Sequence, residues 1–157
     1  MDGKYFTLNE LIKDRTTNPQ WLANAENLLP LLDAIREEFG EPIVITSGYR
    51  SPGKNQDCNG SKTSQHLTAE AADMQPGSGS KKTKKQLFDA ALKVGMAYGF
   101  DQLIWEHPGG CWVHISLVNT NWKNNPRKRQ RREILTCYDP NMKKYNLVTD
   151  LAHTRFV

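Results

Sequence analysis

Ser64-Gln65-His66-Leu67-Thr68-Ala69-Glu70-Ala71-Ala72-Asp73 is the stretch on which the interpretation of this chain depends. It places an imidazole, His66, seven residues before a carboxylate, Asp73, among small alanines. A second imidazole, His114, lies in the alternating run WVHIS at residues 112–116. Two imidazole nitrogens and one carboxylate oxygen leave a fourth tetrahedral position for water, as a catalytic zinc ion requires. Because a lone His and Asp at this spacing usually bind nothing, the neighbouring motifs carry the argument.

Three further segments extend this pattern. Residues 45–51 read ITSGYRS, residues 102–106 read QLIWE, and residues 112–116 read WVHIS. Together with residues 64–73, they resemble the zinc D-Ala-D-Ala carboxypeptidase family, the M15 peptidases, which also includes the L-alanyl-D-glutamate endopeptidases of phage lysins. The first segment resembles the family's SGYRS element, and residues 64–73 resemble its S-x-H-x-x-G-x-A-x-D signature. The resemblance covers residues 5–118.

This resemblance implies a fold, a cofactor and a catalytic site. The fold is α+β, with a small antiparallel sheet that carries a zinc site and packs against two main helices, as in the D,D-peptidases and the signalling domain of hedgehog proteins. The cofactor is Zn²⁺, with His66, Asp73 and His114 as its ligands. Glu106 is the expected general base, because a carboxylate beside the metal can accept a proton from water and return it to the departing amine. The alternative role for Glu106 is a surface salt bridge.

Three polar side chains near these motifs are candidates for substrate binding. Arg50 offers a planar guanidinium to a peptide carboxylate or to the oxyanion of a tetrahedral intermediate, or else only braces the loop that follows it. Ser64 offers a hydroxyl to the substrate or to the orientation of a ligand, and Gln102 can act in the same way. Ala69 stands where the family usually has glycine, which costs stability if this position needs a positive φ.

Three other residues are weaker candidates for a role at the site. His107 follows Glu106 and, by strand alternation, points to the opposite face of the sheet. Cys111 lies three residues before His114 but is more typical of an ordinary thiol than of a metal ligand. His153 has no motif around it.

The length of 157 residues predicts one domain with its own core. We divide it into a zinc peptidase domain over residues 1–118 and a basic C-terminal extension over residues 119–157 that packs on the same domain. The chain is expected to be a monomer. Periodicity predicts helices over 28–39 and 81–98, strands over 42–47, 69–74, 101–106, 112–118 and 133–138, and a surface loop over 51–63.

Positive charge is concentrated in the run from Arg127 to Arg132. Its five cations exceed the net charge of +4 of the whole chain, so the remainder carries −1. This distribution favours contact with an anionic cell envelope. The run has no interleaved aromatic residues, so it predicts no specific nucleic-acid recognition. We expect it to be separable from the chemistry of the site.

The combined pattern predicts a zinc peptidase that cuts the peptide stem of bacterial peptidoglycan. The N-terminus lacks a secretory signal and no apolar run has the length of a membrane span, which favours synthesis in a host cytoplasm and action at the cell wall, as for a phage endolysin. Two alternatives remain open: a zinc-binding module without turnover, and nonspecific nucleic-acid binding through the basic run.

Overall fold

A computed structural model describes residues 1–106, 112–139 and 144–147, and within these ranges the fold is α+β, as predicted. A short 3₁₀ helix, Gln65–Thr68, lies between α3 and β2. The helices and strands, in chain order, are α1 (Leu8–Leu11), α2 (Pro19–Phe39), β1 (Ile43–Ser47), α3 (Pro52–Asp57), β2 (Ala71–Pro76), α4 (Lys84–Tyr98), β3 (Gln102–Glu106), β4 (Trp112–Ser116), β5 (Glu133–Asp139) and β6 (Lys144–Leu147).

The strands of the described residues form one six-stranded sheet in the order β1-β2-β4-β3-β5-β6. The prediction of an antiparallel sheet is wrong for one pair of strands, because β3 and β5 pair in parallel. The chain after β4 returns to the beginning of β3, where the amide of Arg132 donates to the Phe100 carbonyl and that of Glu133 to the Asp101 carbonyl. Strand β5 therefore starts beside the start of β3 and runs in the same direction. The likeness to hedgehog domains stays a prediction.

Local capping explains where the two main helices begin. The Asn18 side chain accepts from the amides of Gln20 and Trp21, so α2 starts at Pro19, earlier than periodicity indicates. Helix α4 starts at Lys84 rather than at residue 81, because Thr83 and Gln86 form a capping box.

The two faces of the sheet have different roles because successive side chains of a strand point to opposite sides. One face packs against α2 and α4 and forms the core. The opposite face lines a cleft of about 590 Å³ with Asp73, Ile104 and His114. Buried core residues include Leu28, Leu32, Ile35, Phe39, Met74, Leu87, Phe88, Leu103, Val113 and Ile115.

Several secondary-structure predictions need correction. The expected loop over 51–63 contains α3, whose N-cap is Ser51. Strand β2 begins at Ala71, because Ala69 adopts a left-handed conformation that ends the 3₁₀ helix. The strand predicted after residue 133 is confirmed as β5, while β6 was not predicted. Residues His107, Cys111 and His153 lie outside the described residues.

None of the helices in the described part of the chain has the length and apolar character needed to cross a bilayer.

Candidate metal centre and active site

Three buried side chains converge on the cleft face of the sheet. Asp73 on β2 and His114 on β4 are directly paired across the two strands, and His114 Nδ1 lies 2.9 Å from Asp73 Oδ1. His66 comes from the 3₁₀ helix, and its Nε2 lies 3.3 Å from Asp73 Oδ2. One ligand atom from each of the three residues lies within 4.8 Å of the others. The sequence-predicted ligand set is therefore brought together.

The orientation of His66 is set by the glycine of the SGYR element. His66 Nδ1 lies 2.7 Å from the Gly48 carbonyl oxygen, which can only accept, so Nδ1 carries the proton and Nε2 faces Asp73. Gly48 is needed here, because a Cβ at this position would lie 2.3 Å from the Leu11 carbonyl oxygen. A backbone carbonyl that holds the second ring nitrogen is the usual support for a metal-binding histidine.

This donor set fits a tetrahedral metal ion. Ligand atoms about 2.0–2.1 Å from zinc at tetrahedral angles lie about 3.3 Å from one another. The two His–Asp distances, 2.9 Å to Oδ1 and 3.3 Å to Oδ2, end on different carboxylate oxygens, while one ligand atom from each residue lies within 4.8 Å of the others. Small side-chain shifts therefore bring the three ligand atoms to tetrahedral spacing. Two nitrogens and one carboxylate oxygen leave one position for water or substrate. The cluster can therefore hold a metal ion.

The three side chains are less than 10% exposed, so their charges interact strongly. Burial alone favours the neutral form of Asp73, but the charges and hydrogen bonds of His66 and His114 outweigh it and hold the pKa of Asp73 below its ordinary value. Asp73 is therefore an anion at neutral pH. A buried carboxylate in this state needs cationic or donor partners, which a bound metal ion would add.

Arg50 lies beside this cluster and is held at three nitrogens. Nη2 lies 3.2 Å from Asp73 Oδ2, Nε donates to Ser47 Oγ at 3.0 Å, and Nη1 donates to Asn55 Oδ1 at 3.5 Å. These contacts orient the guanidinium and leave two of its five N–H donors for a ligand in the cleft.

Glu106 lies at the end of β3, on the same face as Ile104, which pairs with His114. Burial raises the pKa of Glu106 above its ordinary value, and the Asp73 carboxylate adds to this effect, while His114 and a hydrogen bond with Cys137 oppose it. Cys137 is its register partner on β5 and is buried. A half-buried carboxyl group with a raised pKa in a cleft is typical of a general acid–base.

The family model described as Peptidase M15 matches residues 4–116, well over half of the chain. The chain belongs to the peptidase M15 family. This is a family of metallopeptidases, and the matched region contains His66, Asp73, His114, Glu106 and Arg50. None of the curated proteins matches the chain.

Within the M15-matched region, Ser64 has a structural role. Its hydroxyl accepts from the His66 amide at 3.2 Å and caps the 3₁₀ helix, so it orients the segment that carries the first histidine. The helix ends at Ala69, with φ 60° and ψ 28°. The family's glycine position does need a positive φ, and alanine occupies it here at a cost.

Sequence reasoning missed Gln65. It lines the cleft between Ser64 and His66, it is 6% exposed, and both its amide nitrogen and its amide oxygen lack a hydrogen-bond partner among the described residues. A buried carboxamide without partners costs about 1–3 kcal/mol per unsatisfied group, and both amide atoms of Gln65 are closed to solvent. No local sequence signal could indicate this, because it depends on what surrounds Gln65 in the folded chain.

The cleft continues beyond the M15-matched region. Arg127, Arg131 and Leu135 line it together with Gln102. The Gln102 amide nitrogen donates to Glu133 Oε1 at 2.9 Å, so part of this side chain is already engaged. The expectation that the basic run stands apart from the site is wrong for Arg127 and Arg131. The 1–118 boundary and a role of Gln102 in substrate binding stay predictions.

Proposed function

We propose that this chain is a zinc peptidase that hydrolyses the peptide stem of bacterial peptidoglycan, of either the D,D-carboxypeptidase or the L-Ala-D-Glu endopeptidase type. The single observation that carries the proposal is the convergence of His66, Asp73 and His114 in a cleft that also contains Glu106 and Arg50. M15 membership supports the metallopeptidase class. The peptidoglycan substrate rests on the motif resemblance.

His66, Asp73 and His114 would hold the zinc ion. When bound, zinc supplies Lewis acidity, which polarises the scissile carbonyl and makes a water molecule easier to deprotonate. The Gly48 carbonyl keeps the His66 ring in the orientation that ligation needs, and the cross-strand pairing keeps His114 beside Asp73. The protein therefore provides a ligand geometry that needs little rearrangement.

Glu106 accepts the proton of the attacking water and later returns it to the leaving amine. Its raised pKa lies closer to neutral pH than that of an ordinary glutamate, so the group can both accept and release a proton. The Cys137 contact and the parallel pairing with β5 keep the carboxylate on the cleft face.

Arg50 holds the substrate. The two free N–H donors of Arg50 bind either a peptide carboxylate or the oxyanion that forms as water attacks, and they need no reorganisation because Ser47 and Asn55 already hold the guanidinium. These contacts position the scissile bond over the ligand cluster.

We further propose that the protein acts at the bacterial cell wall as a phage endolysin made in the host cytoplasm. Three of the five cations between Arg127 and Arg132 are exposed and do not line the cleft. Lys128 and Arg132 each donate to a backbone carbonyl, which leaves their positive charge unpaired, so all three can attract an anionic envelope. This placement is consistent with a wall-binding role for part of the basic run.

Digestion of purified sacculi tests this function. The zinc-loaded protein should release soluble fragments whose masses identify one cleaved stem-peptide bond, and Glu106→Gln should release none. The absence of fragments from the zinc-loaded protein would contradict the proposal and favour a zinc-binding module without turnover. Affinity for DNA that falls steeply with salt, together with no hydrolysis, would favour the nucleic-acid alternative instead.

A further inference from the structure

Asp101 forms ion pairs with two arginines at the end of the cleft that contains Gln102. Asp101 is fully buried, and the Arg131 guanidinium contacts both its carboxylate oxygens, with Nη2 2.6 Å from Oδ2 and Nε 3.1 Å from Oδ1. The Arg131 amide donates to Oδ1 at 2.8 Å, and Arg127 Nη1 donates to Oδ2 at 3.3 Å. The carboxylate thus fixes two guanidiniums from a segment that is otherwise without regular secondary structure.

Both guanidiniums keep a face toward the cleft. The side chains of Arg127 and Arg131 are 32% and 37% exposed, whereas Asp101 behind them is 0% exposed, and both arginines line the cleft. Within the described part of the chain, Arg127 donates one of its five guanidinium N–H groups to a carboxylate, that of Asp101. Arg131 uses Nε and Nη2 on Asp101, and its Nη1 lies 3.4 Å from Glu133 Oε1, so it keeps fewer donors than Arg127. An oriented guanidinium with spare donors at a cleft wall is suited to a carboxylate.

Among the described residues, two carboxylates accompany the two arginines at this wall, since Arg127 and Arg131 contact Asp101 and Arg131 also lies 3.4 Å from Glu133. The other three cations of the run do not line the cleft. The attraction for an anionic ligand group therefore comes from the spare N–H donors of the two guanidiniums and not from a surplus of charge.

We infer that Arg127 and Arg131 form a subsite for an acidic residue of the peptide substrate. This inference rests on the proposed peptidase function and adds to it a preference for a carboxylate-bearing peptide. Ile104 pairs with His114, and Gln102 lies two residues before it on β3. At about 3.3 Å per residue, the subsite level is about 7 Å from the ligand cluster along the strand, or two residues of an extended peptide.

This subsite lies outside the region that matches the M15 family, which ends at residue 116. It also assigns different roles to neighbouring cations of the same run. Arg127 and Arg131 face the cleft and select the substrate, whereas Arg129 is exposed and does not line the cleft.

Two synthetic stem peptides provide the test. They are identical except that the residue two positions from the scissile bond carries a carboxylate in one and a carboxamide in the other. The native protein should cleave the acidic peptide with a kcat/KM about 10- to 100-fold higher, the range expected of a charge-assisted hydrogen bond. In the double variant Arg127→Gln/Arg131→Gln, the ratio of the two kcat/KM values should fall close to one. It should do so because kcat/KM for the acidic peptide drops while that for the carboxamide peptide stays unchanged. The control variant Arg129→Gln should keep the native ratio.

The outcomes separate the inference from the proposed function. If neither peptide is cleaved by the zinc-loaded native protein, the peptidase proposal itself fails. The subsite is overturned if the native protein cleaves both peptides at equal rates. It is also overturned if Arg129→Gln loses the preference as completely as the double variant does. If the double variant binds sacculi more weakly and still prefers the acidic peptide, the subsite is overturned as well. That result would assign both arginines to contact with the envelope.

A second variant covers the case in which the double variant does not fold, since loss of Arg131 leaves Asp101 without its main partner. Arg127→Gln removes a single 3.3 Å contact with Asp101 and should lower the preference partially. Arg127→Lys, which retains a cation but not the fork, should restore part of it. No change in Arg127→Gln, with zinc retained, would overturn the role of Arg127.

Discussion

His114 Nδ1 lies 2.9 Å from Asp73 Oδ1, and the two residues are paired directly across β2 and β4. A carboxylate and an imidazole on adjacent strands of a sheet move very little relative to one another, because the ladder hydrogen bonds on both sides hold them. His66 then needs only its bond to the Gly48 carbonyl to complete the cluster. Two of the three candidate ligands thus lie on strands that are paired on both sides, which suits a precise metal site.

Replacement of Glu106 by Gln should abolish turnover and spare the metal. The amide has nearly the same shape but cannot accept a proton, so kcat should fall by about 10²- to 10⁴-fold. Steady-state kinetics on a soluble muropeptide, with zinc content measured on the same sample, gives the result. Near-normal turnover would assign the proton transfer to another group.

Replacement of Arg50 by Lys should also reduce kcat while zinc stays bound. The ammonium keeps the charge but cannot reproduce the three contacts to Asp73, Ser47 and Asn55, so its remaining donors lose their orientation. The expected loss is about 10²- to 10³-fold, the usual effect of removing one oxyanion donor. Unchanged kinetics combined with a lower melting temperature would mean that Arg50 only braces the loop.

The resemblance of residues 64–73 and 112–116 to the M15 motifs predicted the set of His66, Asp73 and His114, whose ligand atoms the structure brings together. The alternation of β4 predicted only that His114 shares a face with Trp112 and Ser116. The sequence did not predict the parallel pairing of β5 or the contact of Arg131 with Asp101. Those two residues are 30 positions apart and meet only because the chain after β4 folds back. Gln65 was missed for a similar reason: burial without a partner is a property of the folded neighbourhood, not of a local pattern.

Asp101 should stabilise the fold in a pH-dependent way. Burial favours its neutral form, but Arg131 and Arg127 outweigh this and lower the pKa of Asp101. A carboxyl group with a lowered pKa stabilises the fold above its unfolded pKa of about 3.9, and this contribution is lost as the pH falls through the folded value. Asp101→Asn should therefore cost about 1.5–3 kcal/mol at pH 7 and less at pH 3, where part of the contribution is already lost.

Urea unfolding at the two pH values measures this difference. Asp89→Asn is the matched control, since Asp89 forms an exposed pair with Lys85 that should contribute little at either pH. An Asp101→Asn cost that is the same at pH 3 as at pH 7 would show that the interaction is not ionic.

Ala69 offers a test of backbone strain. Ala69 has a φ of 60°, and replacing it by glycine removes about 1–2 kcal/mol of left-handed backbone strain from the folded chain. This gain offsets the loss of the buried methyl group and the greater conformational entropy of the unfolded chain. Ala69→Gly should therefore leave the free energy of unfolding within about 1 kcal/mol of the native value. Ala72→Gly, at an equally buried position in β2, has no strain to relieve and should cost more. Equal costs for the two variants would contradict this account of the 3₁₀ helix end.

Metal content is the most direct test of the central claim that His66, Asp73 and His114 form a zinc centre. Elemental analysis after dialysis should give about one zinc per chain for the native protein, for Glu106→Gln and for His153→Ala, a histidine beyond the M15-matched region. His66→Ala and His114→Ala should each lose most of the metal while circular dichroism shows a folded protein. Full zinc content in both of these variants would contradict the account.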